Sequence, residues 1–133
     1  MTGAEIIGAL LRAYPALTAI VPATDIKGGR LPEGAVPPLL LVRVISLIDR
    51  HPLKRQGWER STARIAVTVR AASYAQQGQI ISIVRACCAG RTGNIGGGTR
   101  VAILTAGLGP DLDGPGNSFE QTQDFRVSFD APV

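Results

Sequence analysis

The chain has 133 residues, 45% of them hydrophobic and 18% charged, with a formal net charge of +4. That length fits one domain with a real core; aromatics are scarce at 5%, so the core is aliphatic, and the basic balance rests on arginine without a lysine-rich tract, which is compatible with nucleic acid without indicating it. Cys87 and Cys88 are adjacent and lack a spaced partner, which excludes a disulfide framework and a zinc site and fits a reduced, intracellular place of synthesis; the apolar runs fall far short of a membrane span, and a start interrupted by Glu5 is not a signal peptide.

Residues 4–13 form an amphipathic helix in this reading. Ile6, Ile7, Leu10 and Leu11 share a stripe, Thr2 offers a cap, and Tyr14 before Pro15 ends it. Residues 16–21 add an apolar turn. Residues 22–38 carry Pro22, Gly28, Gly29, Pro32, Gly34, Pro37 and Pro38 and read as a loop with a rigid lead into a strand. Residues 39–48 are nearly continuously apolar and rich in β-branched side chains, with Arg43 and Ser46 inside, and read as a central strand. Residues 49–58 follow as a basic loop holding Arg50, His51, Lys54, Arg55 and Trp58.

Residues 60–73 are the most informative stretch. Ser61, Ala63, Ile65, Val67, Val69 and Ala71 fall on one side of an extended chain, and Arg60, Thr62, Arg64, Thr68 and Arg70 on the other. One face enters a core and the other presents arginines and hydroxyls, none of them a nucleophile or a base. Such a face meets a partner; it does not transform a substrate. The strand pairs with residues 39–48 as a hairpin. Ser73 caps a second helix over residues 74–89, whose Ile80, Ile81, Val84, Cys87 and Cys88 share a side, and Gly90 suits its end.

A glycine-rich turn covers residues 93–98, a third strand residues 99–105, and a loop residues 106–117. Residues 118–130 alternate cleanly as a fourth strand, with Phe119, Phe125, Val127 and Phe129 on one face and Glu120, Thr122, Asp124, Arg126, Ser128 and Asp130 on the other. The order helix, strand, strand, helix, strand, strand predicts an α+β fold: a mainly antiparallel four-stranded sheet with two helices packed on one face.

Chemistry is hard to place on this chain. The glycine turn lacks the spacing of a phosphate loop and leads into a strand, so no helix N-terminus awaits a phosphate. Asp111, Asp113 and Gly114 put glycine too early for a calcium loop. His51 is the only histidine, without partners for a metal or a nucleophilic triad. Glu120, Asp124 and Asp130 are simplest as partners for arginines on an adjacent strand. The expectation is no enzyme, no metal and no cofactor.

Taken in order, residues 6–17, residues 31–38 with the strand after them, residues 64–74 with Val84 to Cys88, and residues 107–112 with 121–129 resemble the tail-terminator (tail-completion) proteins of long-tailed bacteriophages and prophages. No single motif is diagnostic; the ordered set carries the likeness over nearly the whole of residues 1–133, one tail-terminator-like domain. The resemblance implies a structural role in the virion tail, at the head–tail junction, after assembly in the host bacterial cytoplasm. Such proteins form a ring, typically a hexamer, on the head-proximal end of the tail tube, where they end its growth and give a docking face to the head. It implies as partners other copies of the chain, the tail tube protein and a head-completion or connector protein. DNA would pass through the ring without sequence-specific binding, and no membrane is involved. Contacts with subunits, tail or head are expected from Arg50, His51, Lys54, Arg55, Trp58, Arg60, Arg64, Arg70, Glu120, Asp124 and Asp130. The rival is a small nucleic-acid-binding α+β module using Arg60, Arg64 and Arg70 as phosphate contacts, although that strand lacks aromatics for stacking bases.

Overall fold

Alternation of apolar and polar residues produces two long strands, β3 (Trp58–Ala71) and β7 (Ser118–Pro132), which pair antiparallel from Trp58 opposite Pro132 to Ala71 opposite Phe119. The computed structural model describes residues 3–32, 34–50 and 57–132. Around the β3–β7 pair the remaining strands are β1 (Ile26–Gly28), β2 (Leu39–Arg50), β4 (Thr92–Ile95), β5 (Gly98–Leu108) and β6 (Leu112–Gly114). They build one curled sheet in the order β1-β2-β3-β7-β5-β4, with β6 joining β7 beyond the end of β5. The helices are α1 (Gly3–Arg12), the single turn α2 (Pro15–Thr18) and α3 (Tyr74–Cys88).

This corrects the expected four-stranded, mainly antiparallel sheet. Among the described residues the sheet has seven strands and is mixed, because β1 runs parallel to β2, and it dominates the fold as a half-barrel. The three added strands, β1, β4 and β6, hold three or four residues each. Such segments are too short to display a period of two, and they lie in stretches whose glycines and prolines mark turns. Their pairing comes from the long strand beside them and not from their own composition. Strand β2 is also not central: β1 covers only Leu40 to Val42, so among the described residues its second edge is open from Arg43 onward. Asp49 and Arg50 belong to β2 and Trp58 to β3, so the basic loop is shorter than read; His51, Lys54 and Arg55 lie outside the described residues, as does the Thr2 cap.

The odd-numbered residues of β3 and β7 face the helices. Ala63, Ile65, Val67, Val69, Phe125, Val127 and Phe129 are buried with Ile6, Ile7 and Leu11 of α1 and Ile80, Ile81 and Val84 of α3. Each large aliphatic side chain removed from water contributes about 1.5–3 kcal/mol. Helix α3 starts where Ser73 accepts a hydrogen bond from the Gln76 amide at 3.1 Å. Between Ile95 and Gly98 the chain turns through Gly96 and Gly97, both at positive φ (58° and 85°), as a tight hairpin between twisted strands requires. That turn also sits on α1: a methyl group at Gly96 would meet the Ile6 Cα at 3.0 Å and the Glu5 carbonyl oxygen at 3.3 Å.

Both cysteines are buried in the core. The Cys87 thiol donates to the Leu10 carbonyl at 3.4 Å. The hydrogen bond with Cys87 and burial push the Cys88 thiol well above its ordinary range.

Two outcomes follow from this packing. Gly96→Ala should lower unfolding stability by more than about 1 kcal/mol, whereas Gly57→Ala, at φ 79° with open space around it, meets only the backbone term; equal losses in denaturant melts would show that the contact with α1 is slack. Cys88, protonated and enclosed, should resist a thiol reagent near neutral pH until the chain unfolds. Rapid labelling of native protein at Cys88 would contradict the packing described.

Candidate functional site, the outer face of the sheet

The even-numbered residues of β3 and β7 point away from the helices and build a ladder of polar pairs. Arg60 lies opposite Asp130, Thr62 opposite Ser128, Thr68 opposite Thr122 and Arg70 opposite Glu120. Each pair makes contact. Arg60 Nη1 donates to Asp130 Oδ1 at 3.1 Å and to the Arg100 carbonyl at 2.7 Å. The Thr62 and Ser128 hydroxyls share a hydrogen bond of 3.2 Å, and those of Thr68 and Thr122 one of 2.9 Å. Arg70 Nε donates to Glu120 Oε1 at 2.7 Å.

The ladder is irregular at two neighbouring rungs, of which one sets Ala66 opposite Asp124. Arg64 lies opposite Arg126, an unfavourable like-charge pair. Arg64 resolves it by leaning along the strand: its Nε donates to Asp124 Oδ2 at 2.8 Å and its Nη2 to the Ala106 carbonyl at 2.9 Å. Arg126 stays exposed beside it. Asp130, 9% exposed, also sits 3.4 Å from Arg100 Nη1, so two guanidinium groups share one nearly buried carboxylate.

Arg60, Arg64, Arg70, Glu120, Asp124 and Asp130 thus come together on one face, paired with one another. Arg50 lies opposite Arg60 at the far end of the β2–β3 hairpin. The side chains of His51, Lys54, Arg55 and Trp58 fall outside the described residues. Beside Arg70 the face opens into a cleft of about 640 Å³ bordered by Arg30, Val36, Pro37 and Leu41. Among the described residues no three His, Cys, Asp or Glu side chains gather as metal ligands, and no helix is long and apolar enough to cross a membrane.

Two features escaped sequence reading. On the helix side of β7, Gln77 donates to Asp111 Oδ1 at 2.8 Å and to Gln121 Oε1 at 3.1 Å, while Arg85 donates to Gln123 Oε1 at 2.9 Å. These glutamines occupy core-facing positions that a hydrophobic stripe does not reveal. The second is a set of exposed apolar residues on the distal half of β2: Val44, Ile45, Leu47 and Ile48. Their apolar character reads as core, but Ile48, opposite Thr62, lies on the outer face, and the helices leave Val44 and Leu47, opposite Ile65 and Ala63 on the inner one, exposed.

No protein-family profile matches this chain, and no curated protein matches it. Among solved structures the fold is similar to that of a chain from the virion of a native gene transfer agent particle, with a TM-score of 0.70 and 15% identity over 97% of this chain and 95% of that one. At that identity the shared property is the fold.

The ion pairs differ in exposure, and their strengths should follow. Arg70 and Glu120 side chains are 21% and 19% exposed, whereas Arg64 is 46% exposed. A double-mutant cycle with Arg70→Ala and Glu120→Ala should give a coupling of about 1 kcal/mol, and the Arg64–Asp124 cycle less than about 0.5 kcal/mol. A reversed order would mean that exposure does not set the strength of these rungs.

Proposed function

We propose that this chain is a structural protein of a phage-like particle and, more finely, a tail terminator: a subunit of a ring, typically a hexamer, at the head-proximal end of the tail tube. The observation that carries the reading is the end-to-end fold similarity to a chain of a gene transfer agent virion, with almost nothing left over on either side. The ordered sequence resemblance to tail-completion proteins supplies the finer role. The physical character of the molecule agrees with it. A rigid curled sheet bearing an internally paired polar face suits a subunit that must repeat identically around an axis. In this reading the chain is not an enzyme, its partners are its own copies, the tail tube protein and a head-completion protein, and DNA passes without sequence readout.

The nucleic-acid reading loses support at the arginines. A phosphate contact needs an available guanidinium group, and those of Arg60, Arg64 and Arg70 are held by carboxylates at 3.1, 2.8 and 2.7 Å. Each would have to exchange a formed pair for a phosphate.

The deciding experiment mixes purified protein with tail tubes from the phage or prophage that encodes it. Electron micrographs should show a ring on one end of each tube, and capped tubes should stop lengthening. Tubes that remain bare and keep growing would remove the terminator role. Tight, salt-sensitive binding of short duplex DNA by the isolated chain would favour the rival.

A further inference from the structure

The sheet has two open edges, and they match. On one side, β1 covers β2 only as far as Val42, so Arg43 to Arg50 have no strand partner there among the described residues. On the other, β4 covers β5 only as far as Ala102, and Ile103 exchanges hydrogen bonds with Gly90 and Arg91 at 2.9 and 3.0 Å. Leu104 to Leu108 are therefore open among the described residues. Both edges expose apolar side chains: Val44, Ile45, Leu47 and Ile48 on the first, with Ile48 64% exposed, and Leu104 and Leu108 on the second, with Leu104 59% exposed. An open strand edge dressed in large aliphatic residues is an invitation to pairing that soluble monomers avoid.

The two open segments lie at the same height. Through the ladder, Ser46 is level with Arg64, Arg126 and Leu104, and Arg43 with Ala66, Asp124 and Gly107. Their directions also fit. Successive neighbours β2, β3, β7 and β5 alternate in direction, so β2 and β5 run oppositely. If a second copy is set beside the first in the same orientation, its β5 meets the first copy's β2 antiparallel. Below the open window the charges are complementary. Lys27 lies in β1 with Arg30 just past its end, and exposed Asp113 lies in β6, which continues the β5 edge and follows Asp111, itself held by Gln77. Lys27 is level with Thr122, Leu112 with Glu120 and Asp113 with Phe119, so the basic end of one edge lies within a few rungs of the acidic end of the other.

We infer that copies of this chain join head to tail by antiparallel pairing of β2, over Arg43 to Leu47, with β5 of the next copy, over Leu104 to Leu108. The inference rests on the reading that the chain assembles with itself, and it names the surface. Level pairing needs little shift along the strands, so successive copies are related by rotation and not by a climb. That is the condition under which a head-to-tail contact closes into a ring and does not grow as a filament. The short caps have a part in this: β1 covers the lower end of the β2 edge and β4 the upper end of the β5 edge, so the two free stretches overlap only around Arg43 to Leu47 and Leu104 to Leu108, which limits register slippage between subunits.

The test uses two variants of the full chain, Ser46→Cys and Leu104→Cys, at concentrations up to the highest attainable. Ser46 and Leu104 share the outer face and one level, so the new thiols should approach to linking distance. A cross-linked dimer should form under mild oxidation, or with a short bismaleimide that absorbs a shifted register, only when the two variants are mixed. Either variant linking to itself would mean an edge-to-same-edge dimer and would overturn the proposal. So would an assembled protein in which no link forms, or a chain that stays monomeric throughout. Ile45→Lys gives an independent arm: the side chain is 54% exposed, so the fold is kept by circular dichroism, and the assembled fraction should fall at least tenfold. Unchanged assembly would overturn the proposal. The outcome separates from that of the terminator reading: linked edges in a protein that never caps tails leave the pairing intact, whereas capped tails without the mixed link refute the pairing alone.

Discussion

The register between β3 and β7 is the constraint on which the rest of the structure depends. A slip of one residue would carry the arginines into the helix-covered core, and burial alone forbids it. A slip of two residues keeps every apolar side chain on its own face, so burial cannot forbid that one. The charges can. In the observed register Arg60 meets Asp130 and Arg70 meets Glu120 directly. Moving β7 two residues one way leaves only Arg64 opposite a carboxylate, that of Asp124; moving it the other way places Arg60, Arg64 and Arg70 opposite Pro132, Ser128 and Thr122. Single exposed pairs contribute about 0–1 kcal/mol each, yet several acting together separate registers that the core treats alike. The outer face is first of all a device for specifying alignment.

Once that pair is fixed, its two sides dictate the remainder. The apolar side supplies the floor on which α1 and α3 settle, and the edges accept β2 and β5. Helix α1 is tied to the sheet's far margin where Arg12 Nη2 donates to the Ile26 carbonyl at 2.7 Å, and to the opposite margin by the close approach of Ile6 to Gly96. A single helix thus touches both borders of the curl. The span between those borders holds the curvature, and the curvature determines how far the helices cover β2.

Much of this was legible in the residues. The faces of β3 and β7, the Ser73 cap, the α3 stripe and the opposition of Arg60, Arg64 and Arg70 to Glu120, Asp124 and Asp130 all follow from a period of two or of 3.6, because each side chain's fate is set by its immediate neighbours in the chain. What stayed hidden depends on other strands. Ile26 to Gly28 and Leu112 to Gly114 are strands only because an unfilled edge lies beside them. Gln77 and Gln123 are interior, and Gln121 half-buried, only because each finds an amide, carboxylate or guanidinium partner across the helix–sheet gap. Val44 to Ile48 carry a core-like composition on a strand that outruns its helices, and composition has no means of showing where a covering helix stops.

That last mismatch links fold to role. A chain selected only to fold would shorten the β2–β3 hairpin to the length the helices protect, or place lysines along its free edge. Here the open stretch of β2 exposes Val44, Ile45, Leu47 and Ile48 between Arg43 and Arg50, and the covered stretches of the two outermost edges fall at opposite ends of the sheet. The polar face spends its charges internally, which leaves it little to offer a specific ligand, while the apolar edges are left unsatisfied. The distribution of satisfied and unsatisfied groups therefore points to the rim of the sheet, and not to its broad face, as the place where this molecule meets its neighbours.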